Sequence, residues 1–100
     1  MPPQITAESA PALTRDIRVI NRLGLHARPA TMLANLIHRF RSELTVTANG
    51  ETADPRSVMS LLLLASERGT TLTFTAQGND ADALLKAIEH LFAIRFGEAQ

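Results

Sequence analysis

Three stretches in which apolar residues recur every second position, separated by stretches with helical spacing, predict an α+β sandwich: a small sheet with helices packed on one face. The Asn49-Gly50 pair adds a tight hairpin between two of the strands. One hundred residues, 45% of them hydrophobic, suffice for one core. The expected order is β-α-β-β-α-β-α, with residues 1–13 as a flexible N-terminal arm and residues 14–100 as the folded domain.

The arm is read from Met1 to Ala12, which hold three prolines, no basic residue and no long apolar run, so the stretch is not a signal peptide. Ile17 and Val19, with Arg18 between them, mark the first strand. A helix follows because Leu33, Leu36, Ile37 and Phe40 fall at i, i+3, i+4 and i+7, while Asn35, His38, Arg39 and Arg41 fall largely on other faces. Its start is expected near His26 or Ala27, with Pro29 in the first turn, where a missing N–H costs little. Leu44, Val46 and Ala48 alternate with Thr45 and Thr47, and Asn49-Gly50 returns the chain into a short strand from Glu51 to Ala53. From Val58 to Ala65 every residue except Ser60 is apolar, more than one buried stripe requires. Two residues compete to open this helix: Asp54, followed by Pro55, and Ser57, one turn later. Leu72, Phe74 and Ala76 mark the last strand. The last helix shows Ala81, Leu84, Leu85, Ile88, Leu91, Phe92 and Phe96 on one stripe, opened by Asp80 and Asp82 and closed by Gly97.

Composition narrows the function. A formal net charge of zero, with four phenylalanines as the only aromatic residues, gives no global support for a nucleic-acid surface. No cysteine is present, which excludes disulfides and thiol catalysis and fits a reducing compartment. No apolar run approaches the roughly 18 residues that span a bilayer. A cytoplasmic protein without membrane insertion or cofactor is expected. His38 and His90 read as surface residues, and no pair of histidines at helical spacing suggests a metal site. A hydrolase triad assembled from Ser57, His26 and an aspartate lacks any nucleophile elbow.

The chemistry concentrates in Gly24-Leu25-His26-Ala27-Arg28-Pro29-Ala30. A helix start leaves the N–H groups of Ala27 and Arg28 without carbonyl partners and presents the positive end of the helix dipole, a ready anion site. The planar guanidinium of Arg28 matches phosphate oxygens. A neutral imidazole can attack phosphorus, and Gly24 lets the loop turn tightly enough to bring the ring over the helix start. A histidine at a helix start is, taken alone, a surface or capping residue; the combination of glycine, histidine, arginine and first-turn proline is more than capping requires.

This heptapeptide resembles the active-site signature of HPr, the histidine phosphocarrier family of the bacterial phosphoenolpyruvate-dependent phosphotransferase system. A second match lies in Pro55-Arg56-Ser57-Val58-Met59-Ser60-Leu61-Leu62, similar to the segment that carries the family's regulatory serine. The likeness runs from about Asp16 to Phe96. It implies an open-faced β-sandwich with a four-stranded antiparallel sheet in the order 1-4-2-3 and three helices on one face. It further implies that His26 accepts phosphate from phospho-enzyme I at Nδ1 and passes it to an enzyme IIA domain, with Arg28 and the backbone N–H of Ala27 steadying the phosphate. Such a protein is a carrier in a relay and not a stand-alone catalyst. By the same resemblance Ser57 caps its helix and would be the target of an HPr serine kinase/phosphorylase, a serine that only caps being the other reading, and Val58, Met59 and Leu62 form the apolar part of the docking surface. A transient carrier is expected to be a monomer.

Ser60, the run Leu61–Gly69 and the tail Leu91–Glu98 look more like the nitrogen-related branch than the sugar-uptake branch. A regulatory binding module, switched by phosphorylation of His26 or Ser57, is the alternative reading.

Overall fold

The computed structural model describes residues 11–65 and 67–98. The chain order is β1 (Leu13–Arg18), α1 (Ala27–Ile37), β2 (Glu43–Ala48), β3 (Glu51–Ala53), α2 (Val58–Leu64), β4 (Thr71–Gln77) and α3 (Ala81–Ala93), followed by a 3₁₀ turn at Arg95–Gly97. The four strands form one antiparallel sheet in the order β1-β4-β2-β3, as the resemblance implied. Most of the expected arm, residues 1–10, lies outside the described residues. Leu13, expected as its last residue, already pairs with Ala76.

The period-two pattern sorts the two faces of the sheet. Leu44, Val46 and Ala48 of β2 and Leu72, Phe74 and Ala76 of β4 are buried under the helices. The intervening Thr45, Thr47, Thr71, Thr73 and Thr75 line the open face, where Thr73 donates to Asp16 at 2.7 Å and the Thr47 and Thr52 hydroxyls lie 3.0 Å apart. On the helical side, α1 contributes Ala30, Leu33 and Ile37 to the core, and α3 contributes Leu84, Leu85, Ile88 and Phe92. The hairpin turn has Asn49 at φ 53° and Gly50 at φ 81°, the left-handed pair that a two-residue turn between twisted strands demands.

Two helices end differently from their sequence stripes. Helix α1 stops at Ile37, so Phe40 lies beyond it, half-buried. Helix α3 stops at Ala93, and Phe96 reaches the core only because the chain reverses hand: Arg95 and Phe96 stand at φ 54° and 56°, ahead of Gly97 at 77°. Phe96 is fully buried, its ring edge-on to Phe92 at 4.8 Å.

At the opposite end of β4, Asp80 opens α3 through its carbonyl, which accepts the N–H of Leu84 at 2.9 Å, while its side chain makes no capping bond to the helix. Its carboxylate accepts the N–H groups of Arg41 and Ser42, each at 2.9 Å, and the hydroxyl of Ser42. Partial burial pushes this carboxyl up, but the Ser42 hydroxyl and the backbone N–H groups outweigh it and hold the group below the usual aspartate value. A folded-state pKa below the unfolded one stabilises the fold above about pH 4 and loses that contribution as pH falls through the folded value. Asp80→Asn is therefore expected to flatten the acid limb of a plot of melting temperature against pH; parallel acid limbs for the two proteins would show that this clamp carries no proton linkage.

Candidate functional site

The site is built where the loop after β1 turns into α1. Val19 exchanges backbone hydrogen bonds with the far loop, its N–H to Thr70 and its carbonyl from Gly69, both at 2.8 Å. Gly24, at φ 68°, donates to the carbonyl of Asn21 at 3.0 Å and closes a tight turn. Leu25 is fully buried, and its N–H binds the carbonyl of Ala65 just past α2 at 2.8 Å. The residue after this anchor is His26, which adopts extended backbone as the N-cap of α1.

The His26 side chain makes no capping bond to its own helix. Pro29 has no N–H to offer, so the helical ladder opens with the N–H of Ala30 on the carbonyl of His26 at 2.9 Å. Those of Ala27 and Arg28 precede the ladder, in the first turn where a helix has no carbonyl of its own to accept them. Arg28 is exposed, and its guanidinium reaches across to the C-terminal turn, with Nη2 4.0 Å from where a Cβ on Gly97 would stand.

The ring of His26 is held from a direction that no local pattern announces. Its Nε2 lies 2.8 Å from Oε2 of Glu98, 72 residues later in the chain. The ring is 37% exposed and the carboxylate 18%. The other oxygen of Glu98 accepts Nδ2–H of Asn21 at 2.6 Å, and the same amide nitrogen donates to the carbonyl of Arg95 at 3.0 Å. Asn21 is fully buried. Two acceptors around its nitrogen fix the amide's orientation, because the flipped amide would set its oxygen against the carboxylate. An ionised carboxylate only accepts, so in the neutral imidazole the tautomer that satisfies this contact has its proton on Nε2 and its lone pair on Nδ1. A cleft of about 140 Å³, lined by Arg22, Leu23, His26 and Glu98, opens beside the ring.

The residues expected around the second motif fall into two groups. Ser57 is the N-cap of α2: its Oγ accepts the N–H of Ser60 at 3.2 Å. Asp54 instead caps the turn before it, accepting from Arg56 N–H at 2.9 Å through its side chain and from Ser57 N–H at 3.1 Å through its carbonyl. Of the three expected docking residues, Met59 is 65% exposed, whereas Val58 and Leu62 are half-buried against the core. Leu63, one turn after Met59, is 78% exposed, and Leu23, in the loop before His26, is 68% exposed; neither was singled out by the sequence. His38 and His90 are both exposed. Among the described residues no cluster of three histidine, aspartate or glutamate side chains could hold a metal ion, and no helix is long and apolar enough to cross a membrane.

Fold and site together define a small open-faced α+β sandwich that presents a half-exposed histidine at a helix N-terminus. Residues 13–93 match the family described as "PTS HPr component phosphorylation site", and the chain belongs to that family. It is 44% identical over 87 residues to the phosphocarrier protein NPr of Shewanella violacea, covering 87% of this chain and 96% of that protein. It is also 44% identical over 100 residues to the multiphosphoryl transfer protein of Escherichia coli O157:H7, covering 94% of this chain but only 27% of that much longer protein. Among solved structures, HPr-C-His from Thermoanaerobacter tengcongensis superposes with a TM-score of 0.83 at 28% identity, over 88% of this chain and 99% of that one.

Proposed function

We propose that this protein carries a phosphoryl group on His26, taking it from phospho-enzyme I and giving it to an enzyme IIA domain or a regulatory target. The observation that carries the proposal is the ring at the start of α1 with Nε2 tied to Glu98, which leaves Nδ1 as the nitrogen able to act. In the loading step the lone pair of Nδ1 forms a bond to phosphorus, and the donor's own bond to phosphorus breaks with its electron pair leaving to the donor. The N–H groups of Ala27 and Arg28 and the guanidinium of Arg28 stabilise charge on the transferred oxygens. In the unloading step the acceptor attacks phosphorus and the imidazole leaves. The protein is thus a reactant that returns unchanged. Incubation with phosphoenolpyruvate and enzyme I, followed by intact-mass measurement before and after acid, tests this reading: one phosphate lost in acid supports it, and an acid-stable adduct or none overturns it.

Met59 and Leu63, at i and i+4 on α2, together with Leu23, supply exposed apolar area for partners, and the unbranched Met59 side chain adapts to several shapes. Ser57 begins this helix, so a phosphate added there by a serine kinase would be tolerated at the helix start while its charge of about −1.5 to −2 opposed an acidic partner. Ser57→Asp is expected to slow loading of His26 by enzyme I severalfold without lowering thermal stability; equal loading rates would remove the regulatory role. The tail that brings Glu98 to the ring belongs to the segment resembling the nitrogen-related branch, which favours a regulatory acceptor over a sugar transporter.

A further inference from the structure

We infer that Glu98 is a positioning residue that holds the proton on Nε2 of His26 throughout the phosphoryl cycle, and that this keeps the phosphorylated ring a competent donor. The inference rests on His26 being the phosphoacceptor and adds a requirement which that reading does not contain.

When neutral imidazole attacks through Nδ1, the product ring bears phosphorus on Nδ1 and the original proton on Nε2, and it is formally cationic. When the phosphoryl group departs, the electron pair of the Nδ1–P bond returns to the ring. A ring that still has its Nε2 proton leaves as neutral imidazole. One that has lost the proton must leave as imidazolate, a far poorer leaving group. The rate of donation therefore depends on whether Nε2 stays protonated while phosphate is attached.

Among the described residues the carboxylate that meets the ring meets it at this proton. Glu98 Oε2 is 2.8 Å from Nε2, and the carboxylate is 18% exposed, so water screens the pair only partly. Its second oxygen is held by Asn21, which is itself buried and bound to the carbonyl of Arg95. The carboxylate is delivered by a backbone that is costly to build. Arg95 and Phe96 are both left-handed, a conformation unfavourable by roughly 1–2 kcal/mol for a residue with a Cβ. The turn is closed by Gly97 N–H on the Ile94 carbonyl at 3.0 Å and Glu98 N–H on the Arg95 carbonyl at 2.9 Å. Helix α3 could end without this reversal; the reversal sets a carboxylate on the far side of the ring from the transferring phosphate. Oppositely, the negative charge at Nε2 disfavours a phosphoryl group there and directs it to Nδ1.

The test uses the full chain, Glu98→Gln, Glu98→Ala and phosphate supplied by enzyme I and phosphoenolpyruvate. Two quantities are read on the phosphorylated proteins at one slightly alkaline pH: the ¹H–¹⁵N correlation of Nε2–H, and the single-turnover rate of phosphate donation to an enzyme IIA domain. The wild-type protein is expected to show the correlation. Glu98→Ala is expected to lose it and to donate about tenfold to a hundredfold more slowly, the range that loss of a charge-assisted hydrogen bond implies. Glu98→Gln, which keeps an acceptor but not the charge, should fall between them. Donation by Glu98→Ala at the wild-type rate, or by Glu98→Gln at the wild-type rate while Glu98→Ala is slow, overturns the inference, since the anionic charge would then be dispensable. Absence of any acid-labile phosphate on the wild-type protein overturns the carrier reading itself, so the two failures are distinct.

Discussion

Replacing His26 with alanine is expected to abolish uptake of acid-labile phosphate from enzyme I and phosphoenolpyruvate while leaving the fold intact. Complete loss is expected because in the proposed relay the phosphate is covalently held on a ring nitrogen of His26, and no residual mechanism replaces a missing nucleophile. The expectation of an intact fold follows from the site. The imidazole is 37% exposed, makes no capping bond to α1, and has Glu98 as its hydrogen-bonding partner, so its removal leaves a carboxylate that water can reach. Since the side chain supplies no cap, alanine at this position should cost well under about 1 kcal/mol. Intact-mass measurement and a thermal melt check the two halves together. Arg28→Ala in the same assay should load more slowly without losing the phosphate, because the role proposed for the guanidinium is to stabilise charge and not to form a bond to phosphorus. His26→Ala acquiring an acid-labile phosphate at the wild-type rate would place the acceptor elsewhere in the chain.

How much of this was legible in the sequence depends on the range of the interactions concerned. The strands could be read because one face of each is buried, so that alternation is enforced residue by residue in Leu44-Thr45-Val46 and Leu72-Thr73-Phe74. The Asn49-Gly50 turn could be read because left-handed backbone restricts residue choice locally. The start of α1 could be read for the same kind of reason: Gly24, His26, Arg28 and Pro29 each answer a demand of the chain within four residues. Strand order came from the family resemblance, not from these local patterns. What stayed illegible is what the chain accomplishes by meeting itself. Glu98 reaches His26 from 72 residues after it and is itself held by Asn21, five residues before the ring, and neither has a periodicity or spacing that points to the ring. Leu63 is similar: in a helix where nearly every residue is apolar, composition gives no sign of which side faces solvent, and only the packed structure separates buried Leu61 from exposed Leu63. The end of α3 misled for the opposite reason. Phe96 fits a continuing helical stripe, and it is buried as that stripe suggests, but it arrives through a left-handed turn that periodicity cannot register.

That turn makes Phe96 the core residue whose loss should reach furthest. Its ring is fully buried and edge-on to Phe92 at 4.8 Å, and Phe92 in turn lies edge-on to Phe74 at 6.2 Å, so the three rings connect the C-terminal turn to the centre of β4. Phe96→Ala is expected to destabilise the protein by about 3–5 kcal/mol, the usual cost of emptying an aromatic site that cannot collapse. In a domain of this size each kcal/mol lowers the melting temperature by about 4–8 °C, so the change is visible without extrapolation. The loss should also travel to the site. The left-handed backbone at Arg95 and Phe96 is maintained against its own preference by burial of this ring, and without it Glu98 loses its place beside Nε2. Phe96→Ala, studied at a temperature where it remains folded, should therefore donate phosphate as slowly as Glu98→Ala, whereas Phe96→Leu, which refills much of the volume, should recover part of both stability and rate. Chemical denaturation and single-turnover donation measure the two effects. A loss below about 1 kcal/mol would mean that the turn is secured by something other than this ring, because no fully buried phenylalanine in a close-packed core is removed so cheaply.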